Sequence, residues 1–223
     1  MRSLVLGHLV YLYTPIGILA TIAGILMGGQ WVWVGMAIFG FNIVMDTLTG
    51  GIHLKGAAVN SKGEAAGVGP ILNLMMYLQF VSFVALQLVV VWRMYQYVAG
   101  VPIEPMMWNG YAYENGITGL GLYAVVMGAA LHQGLGIMFG HELSHTKGFG
   151  FLVSRLMMGL SGCAAFCYAH VYNHHLELGR AWLGPEGNKM MDDTDPATSP
   201  RGRSLYAHWI ISTIGQSYFG FKT

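Results

Sequence analysis

Charge is what this sequence has least of. Only 9% of its 223 residues are Asp, Glu, Lys or Arg, against about a quarter in an ordinary soluble domain. The net charge of +1 and the lack of a basic stripe exclude nucleic acid as a partner. Cysteine is nearly absent as well. Cys163 and Cys167 are the two present, which excludes a disulfide framework, and C-x-x-x-C is not a zinc or thioredoxin spacing. They read as small packing residues. What the chain has instead is 54% hydrophobic residues, with Gly 32 and Met 15, the profile of a membrane protein.

Between Arg2 and Asp46 there is no Lys, Arg, Asp or Glu, room for two spans of about 20 residues each. They are placed at 9–27 and 31–45, with Gly28-Gly29 as the turn and Trp31 and Trp33 as interfacial aromatics. Because a second apolar run follows at once, the first reads as a retained span and not as a cleaved leader. Asp46 to Pro70 is a polar, Gly-rich loop or interfacial segment. A third span is placed at 71–91, and Ala99 to Asn115 reads as a loop. A fourth span, 117–139, carries Gly119, Gly121, Gly128, Gly134 and Gly136, a spacing that permits close helix packing. A polar stretch, Glu177 to Arg203, precedes a fifth span at 204–221. The expectation is an all-α polytopic membrane bundle forming one domain over 1–223.

The fourth span delivers the chain to its densest chemistry. Five of the nine histidines fall within 35 residues, as H-E-L-S-H (His141 to His145) and H-V-Y-N-H-H (His170 to His175). On an α-helix, His141 with His145 and His170 with His174 each share a face. Imidazole suits iron, zinc, copper and nickel. If the apolar segment 149–169 crossed the bilayer, its thickness would separate the two clusters by more than about 25 Å. Two crossings would need about 40 residues, more than lie between His145 and His170. Either the segment lies along the interface or dips into it, or the two clusters are unrelated; the first is the expectation. With the N-terminus in the cytoplasm, nine of the eleven Lys and Arg fall on that side, leaving Arg93 and Lys222 opposite. That bias places both histidine clusters in the cytoplasm; the membrane is expected to be a bacterial inner membrane.

H-E-L-S-H alone also reads H-E-x-x-H, the zinc protease signature, and at a span end that means an intramembrane protease. A catalytic zinc takes three protein ligands, so five imidazoles fit part of a two-metal site better. Five structural histidines are hard to reconcile with two helix-spaced groups. His132 is out of phase with His141 and is expected to face away, with a polar contact inside the bundle as the alternative. His8 and His53 read as a span-end and a loop residue.

H-E-L-S-H, A-H-V-Y-N-H-H-L and D-T-D-P-A-T-S-P-R-G-R-S-L-Y together resemble the histidine boxes and following segment of membrane non-haem diiron hydrocarbon monooxygenases. These are the alkane 1-monooxygenases and the xylene monooxygenase hydroxylase component, with membrane fatty acid desaturases more distant. G-G-Q-W-V-W-V-G-M-A-I-F is similar to the xylene branch. The resemblance implies two iron ions, with His141, His145, His170, His174 and His175 as ligands. It implies electrons from a rubredoxin or a ferredoxin-type reductase, and O2-dependent hydroxylation of a terminal or benzylic methyl group to a primary alcohol. The hydrocarbon would arrive from the bilayer. Glu142 and Asp195 are candidates for orienting the ligands through their second nitrogens. The family pattern continues with a sixth span, an H-Y-G motif and a third box, whereas His208 is the only histidine here after His175. The chain is therefore expected to be the N-terminal part of a longer family fold. Desaturase-type oxidation, a zinc protease and an inactive truncated remnant stand as alternatives.

Overall fold

A computed structural model of the chain describes residues 8–49, 68–113, 115–175 and 204–222. They form two compact units, 1–136 and 137–223. Among the described residues, helices occupy all five positions expected for spans. α1 is Tyr13–Met27, preceded by a 3-10 turn Leu9–Leu12. α2 is Val34–Thr49, entered through the 3-10 turn Gly29–Trp33. α3 is Gly69–Ala99, α4 is Gly119–Ser144, α5 is Phe149–Leu160 and α6 is Leu205–Lys222.

Among the described residues, three helical runs are long and apolar enough to cross a membrane: Gly29–Thr49, Gly69–Ala99 and Gly119–Ser144, of 21, 31 and 26 residues. α1 is apolar but has 15 residues. α6 has 18 residues but is diluted by His208, Ser212, Thr213, Gln216 and Ser217. The outward faces of α2 and α3 are apolar, with Phe41, Ile43, Leu48, Val81, Leu88 and Val91 all exposed. An exposed apolar face of this extent fits a lipid environment, since soluble proteins keep such patches small.

Within the first unit, glycine sets the helix spacing. A Cβ on Gly35 of α2 would lie 2.8 Å from Thr21 Cγ2 on α1 and 3.2 Å from the Gly128 Cα on α4, so the backbones approach as closely as these residues permit. Gly136 receives the Phe83 ring of α3 in the same way.

The far end of this unit is tied by Arg93, a buried cation with 1% exposure. Its Nε donates to the Ile25 carbonyl (2.9 Å) and its Nη2 to Leu26 (2.6 Å) and Asn115 (3.4 Å). Nη1 donates to Gln96 Oε1 at 3.1 Å. The last carbonyls of a helix have no intrahelical partner, and a cation there also suits the helix dipole. Arg93 thereby binds the end of α1 to α3 and to the segment leading into α4. Gly28, at φ 73°, makes the turn the sequence placed there, and a Cβ on it would collide with the Asn115 carbonyl oxygen.

The segment expected as a loop from Ala99 to Asn115 contains a hairpin. Met106–Trp108 pairs antiparallel with Tyr111–Tyr113. Asn109 and Gly110 turn it with φ 47° and 82°, and Asn-Gly is the strongest short-range hairpin signal.

Arg93→Met should lower the unfolding free energy by about 3 kcal/mol or more, because it strands the α1 carbonyls. Gly28→Ala should cost at least the ~1–2 kcal/mol of left-handed backbone strain. Both are read from thermal unfolding in detergent by circular dichroism.

Candidate metal centre

The second unit begins on the last two turns of α4. That helix closes with tightened bonds, from the His145 N–H to the Glu142 carbonyl and from the Thr146 N–H to that of Leu143. His141 and His145 stand one turn apart, with ring centroids 5.3 Å from each other. Gly148, at φ 62°, reverses the chain into α5. α5 has 12 residues, a rise of about 18 Å against a hydrocarbon thickness of ~30 Å. It stops where Gly162, at φ 76°, takes the left-handed conformation. The Cys163 N–H then bonds back to the Met158 carbonyl at 2.8 Å, the 6→1 bond of a Schellman end.

The chain returns alongside. Phe151 meets Tyr168 edge to face at 5.6 Å, and Arg155 lies over the Tyr168 ring. Ser154 of α5, fully buried, donates to the Gly140 carbonyl of α4 at 2.5 Å. Its Oγ is also 3.1 Å from Cys167 Sγ on the returning strand of chain. One hydroxyl therefore joins the three pieces that carry the two histidine clusters. Nothing in the sequence singled it out.

After one α-turn, Phe166–Tyr168, the backbone widens into a π-helical turn, Ala169–His174. The His175 N–H bonds to the His170 carbonyl, five residues back. On an α-helix, His175 would point about 140° away from His170. With five-residue closure it stands over His170 instead, while His174 stays adjacent. A π-turn inside a helix is uncommon and recurs at functional sites.

The five imidazoles gather as a result. The His170 ring lies 4.1 Å from His141, 5.1 Å from His145, 5.2 Å from His174 and 4.5 Å from His175, centroid to centroid. His170 Nε2 is 2.9 Å from His175 Nε2 and 3.3 Å from His145 Nε2. Donor atoms of His141, His145 and His170 all lie within 4.8 Å of one another. A ring nitrogen has one in-plane site and cannot hydrogen-bond linearly to two such partners. Imidazoles bound to one ion at ~2.0–2.1 Å hold neighbouring nitrogens about 2.9–3.4 Å apart. The observed separations and donor chemistry fit a metal ion.

Burial, reinforced by the neighbouring imidazoles of His141, His175, His174 and His145, pushes the His170 pKa down to about 3. Phe166 stacks on His170 at 5.3 Å and 12°, and meets His141 edge-on at 6.3 Å. It is the aromatic wall of the cluster, and the sequence did not point to it.

The two carboxylates proposed to orient the ligands fare differently. Glu142 is exposed, and among the described residues no hydrogen bond joins it to a histidine. It does act on the cluster electrostatically: burial lowers the His141 pKa, and the Glu142 carboxylate works against that shift. Asp195 and the polar segment around it lie outside the described residues, as does His53. His132, in the first unit, is a buried polar contact between helices. Its Nε2 lies 2.8 Å from Thr21 Oγ1, which itself donates to the Gly17 carbonyl. His8 accepts the Val68 N–H at 3.1 Å.

Compared with protein-family models, with curated proteins and with solved structures, the chain matches none.

Two outcomes follow from this geometry. Ser154→Ala should destabilise the second unit by about 1–3 kcal/mol and weaken metal uptake without removing a ligand; Ser154→Thr, which keeps the hydroxyl, should retain more of both. Calorimetry and metal analysis check this. The second concerns pH. An unfolded His170 takes up a proton below about pH 6.5, while the folded one resists until about 3. Metal-free stability is then greatest above pH 6.5. It falls as the pH drops through that window, by up to about 1.4 kcal/mol per unit. His170→Gln should flatten the fall in melts at successive pH values.

Proposed function

We propose that the chain is part of an integral membrane non-haem diiron monooxygenase. It hydroxylates a terminal or benzylic methyl group of an alkane or alkyl-aromatic hydrocarbon to a primary alcohol, using O2. The observation that carries this is the meeting of Nε2 atoms from both histidine boxes, at 2.9 and 3.3 Å around His170. The resemblance of the boxes supplies the reaction class.

His141, His145, His170, His174 and His175 would hold the iron. When bound, the two irons would supply the activation of O2 with electrons from a rubredoxin or a ferredoxin-type reductase. The rest falls to the chain's own residues. The His170 imidazole is neutral near pH 7 and offers a lone pair without first losing a proton. Phe166 covers one side of the cluster and limits water there. On α5, Phe149, Leu152, Leu156 and Leu160 form an exposed apolar stripe, suited to lying in the interface and bringing hydrocarbon from the bilayer to the cluster. The bias of Lys and Arg favours a cytoplasmic site, where a soluble electron donor can dock, and the reading sets it in a bacterial inner membrane.

A second reading has one specific observation behind it. His141, His145 and His170 alone form a three-imidazole group, the ligand count of a catalytic zinc site, with Glu142 in H-E-x-x-H as the water-activating base.

Metal analysis and product analysis separate the two. On the diiron reading, the purified chain takes up iron in preference to zinc. Each of His145→Ala, His170→Ala and His175→Ala should weaken uptake by at least the ~10–100-fold seen on losing an outer-shell partner. Membranes supplied with octane or toluene and a reductase should yield 1-octanol or benzyl alcohol. One zinc per chain, indifferent to His175→Ala, would overturn this reading; an alkene product would move it to a desaturase.

A further inference from the structure

The second unit contains a cavity of about 370 Å³ that the histidine cluster does not use. It lies between the reversal after α5 and one face of α6, at the small end of the ~300–1,000 Å³ range of small-molecule sites. The reversal supplies an apolar wall that includes Ala164 and Phe166; the α6 face opposite carries Thr213, Gln216 and Ser217, with Phe221 one turn further on. Gly220 lets α6 approach the reversal, so near the Ala165 carbonyl that a Cβ there would collide with it. Phe166 belongs to both sites. It lines the cavity and stacks on His170, so a molecule resting on that ring is one aromatic layer from the imidazoles.

Among the described residues the polar wall is neutral, with no charged side chain in the lining. Thr213 and Ser217 spend their hydroxyl protons on α6's own carbonyls of Trp209 and Thr213, at 2.8 and 3.1 Å. Their oxygens remain able to accept. The Gln216 amide offers a donor and an acceptor together. Such a wall matches one hydroxyl or carbonyl and disfavours a carboxylate, which would bury a charge without a counter-ion.

We propose that this cavity binds a neutral hydrocarbon carrying a single hydroxyl, with its apolar body on Phe166 and its oxygen on Gln216. The chemistry is that of the alcohol expected from the neighbouring centre, and in that respect the inference rests on the proposed function. The binding itself does not require the metal.

Cys163 reports on occupancy, because it lines the cavity while Cys167 is fully buried on another face. The test uses the full chain in lipid nanodiscs, with Cys167→Ser leaving one thiol. Maleimide modification is followed at mildly alkaline pH with 1-octanol or octanoate as the probe. At ten times its Kd, 1-octanol should slow labelling about tenfold, and octanoate should not. Gln216→Leu should abolish most of the protection by 1-octanol, and Ala164→Phe, which fills the cavity, should abolish all of it. The inference is overturned by an absence of protection or by equal protection from octanoate. Equal protection in Ala164→Phe also overturns it, since it would mark a bilayer effect. Iron content of the same samples separates the two proposals. Protection without iron keeps the cavity and removes the metal centre; iron without protection does the reverse.

Discussion

The second unit depends on one meeting: the buried His170 ring packed against four other imidazoles. Burial, and then those neighbours, disfavour a charge on His170. The arrangement depends on a scaffold that holds the rings together. The scaffold is slight: one buried hydroxyl, one left-handed glycine and one widened helical turn. Ser154, Gly162 and the Ala169–His174 turn act in series, since losing any of them changes where the second box meets the first.

The first unit is held by a different kind of interaction. Arg93 is buried among carbonyl oxygens, and the Gly28 turn is threaded so tightly past Asn115 that no side chain fits. Glycine contacts at Gly35, Gly128 and Gly136 let the helices approach closely. In an apolar surrounding such packing and buried hydrogen bonds matter more than apolar burial, because lipid is as apolar as the helix faces. The two units thus answer different demands, one of close packing and one of gathering polar groups.

Much of this was legible in the sequence. Apolar runs free of charge located the helices, Gly28-Gly29 located a turn, and the spacing of H-E-L-S-H correctly put two imidazoles on one face. Between His145 and His170 the structure has a 12-residue helix that ends at the left-handed Gly162. The Asn-Gly of the hairpin was equally readable but was absorbed into a loop, because an exposed two-stranded ribbon leaves no long hydrophobic period. Glu142 is exposed because adjacent positions on a helix are about 100° apart, so it does not share the face of His141 and His145.

The sequence by itself determined which residue types could meet: five clustered histidines, little charge, and helices apolar enough for lipid. Only the tertiary structure decided that His175 joins His170. That depends on a backbone closing over five residues, where helical periodicity assumes four. Likewise the roles of Ser154, Phe166 and the α6 wall come from contacts between segments distant in the chain. A serine or phenylalanine carries no signal of its partner until the fold brings the partner to it.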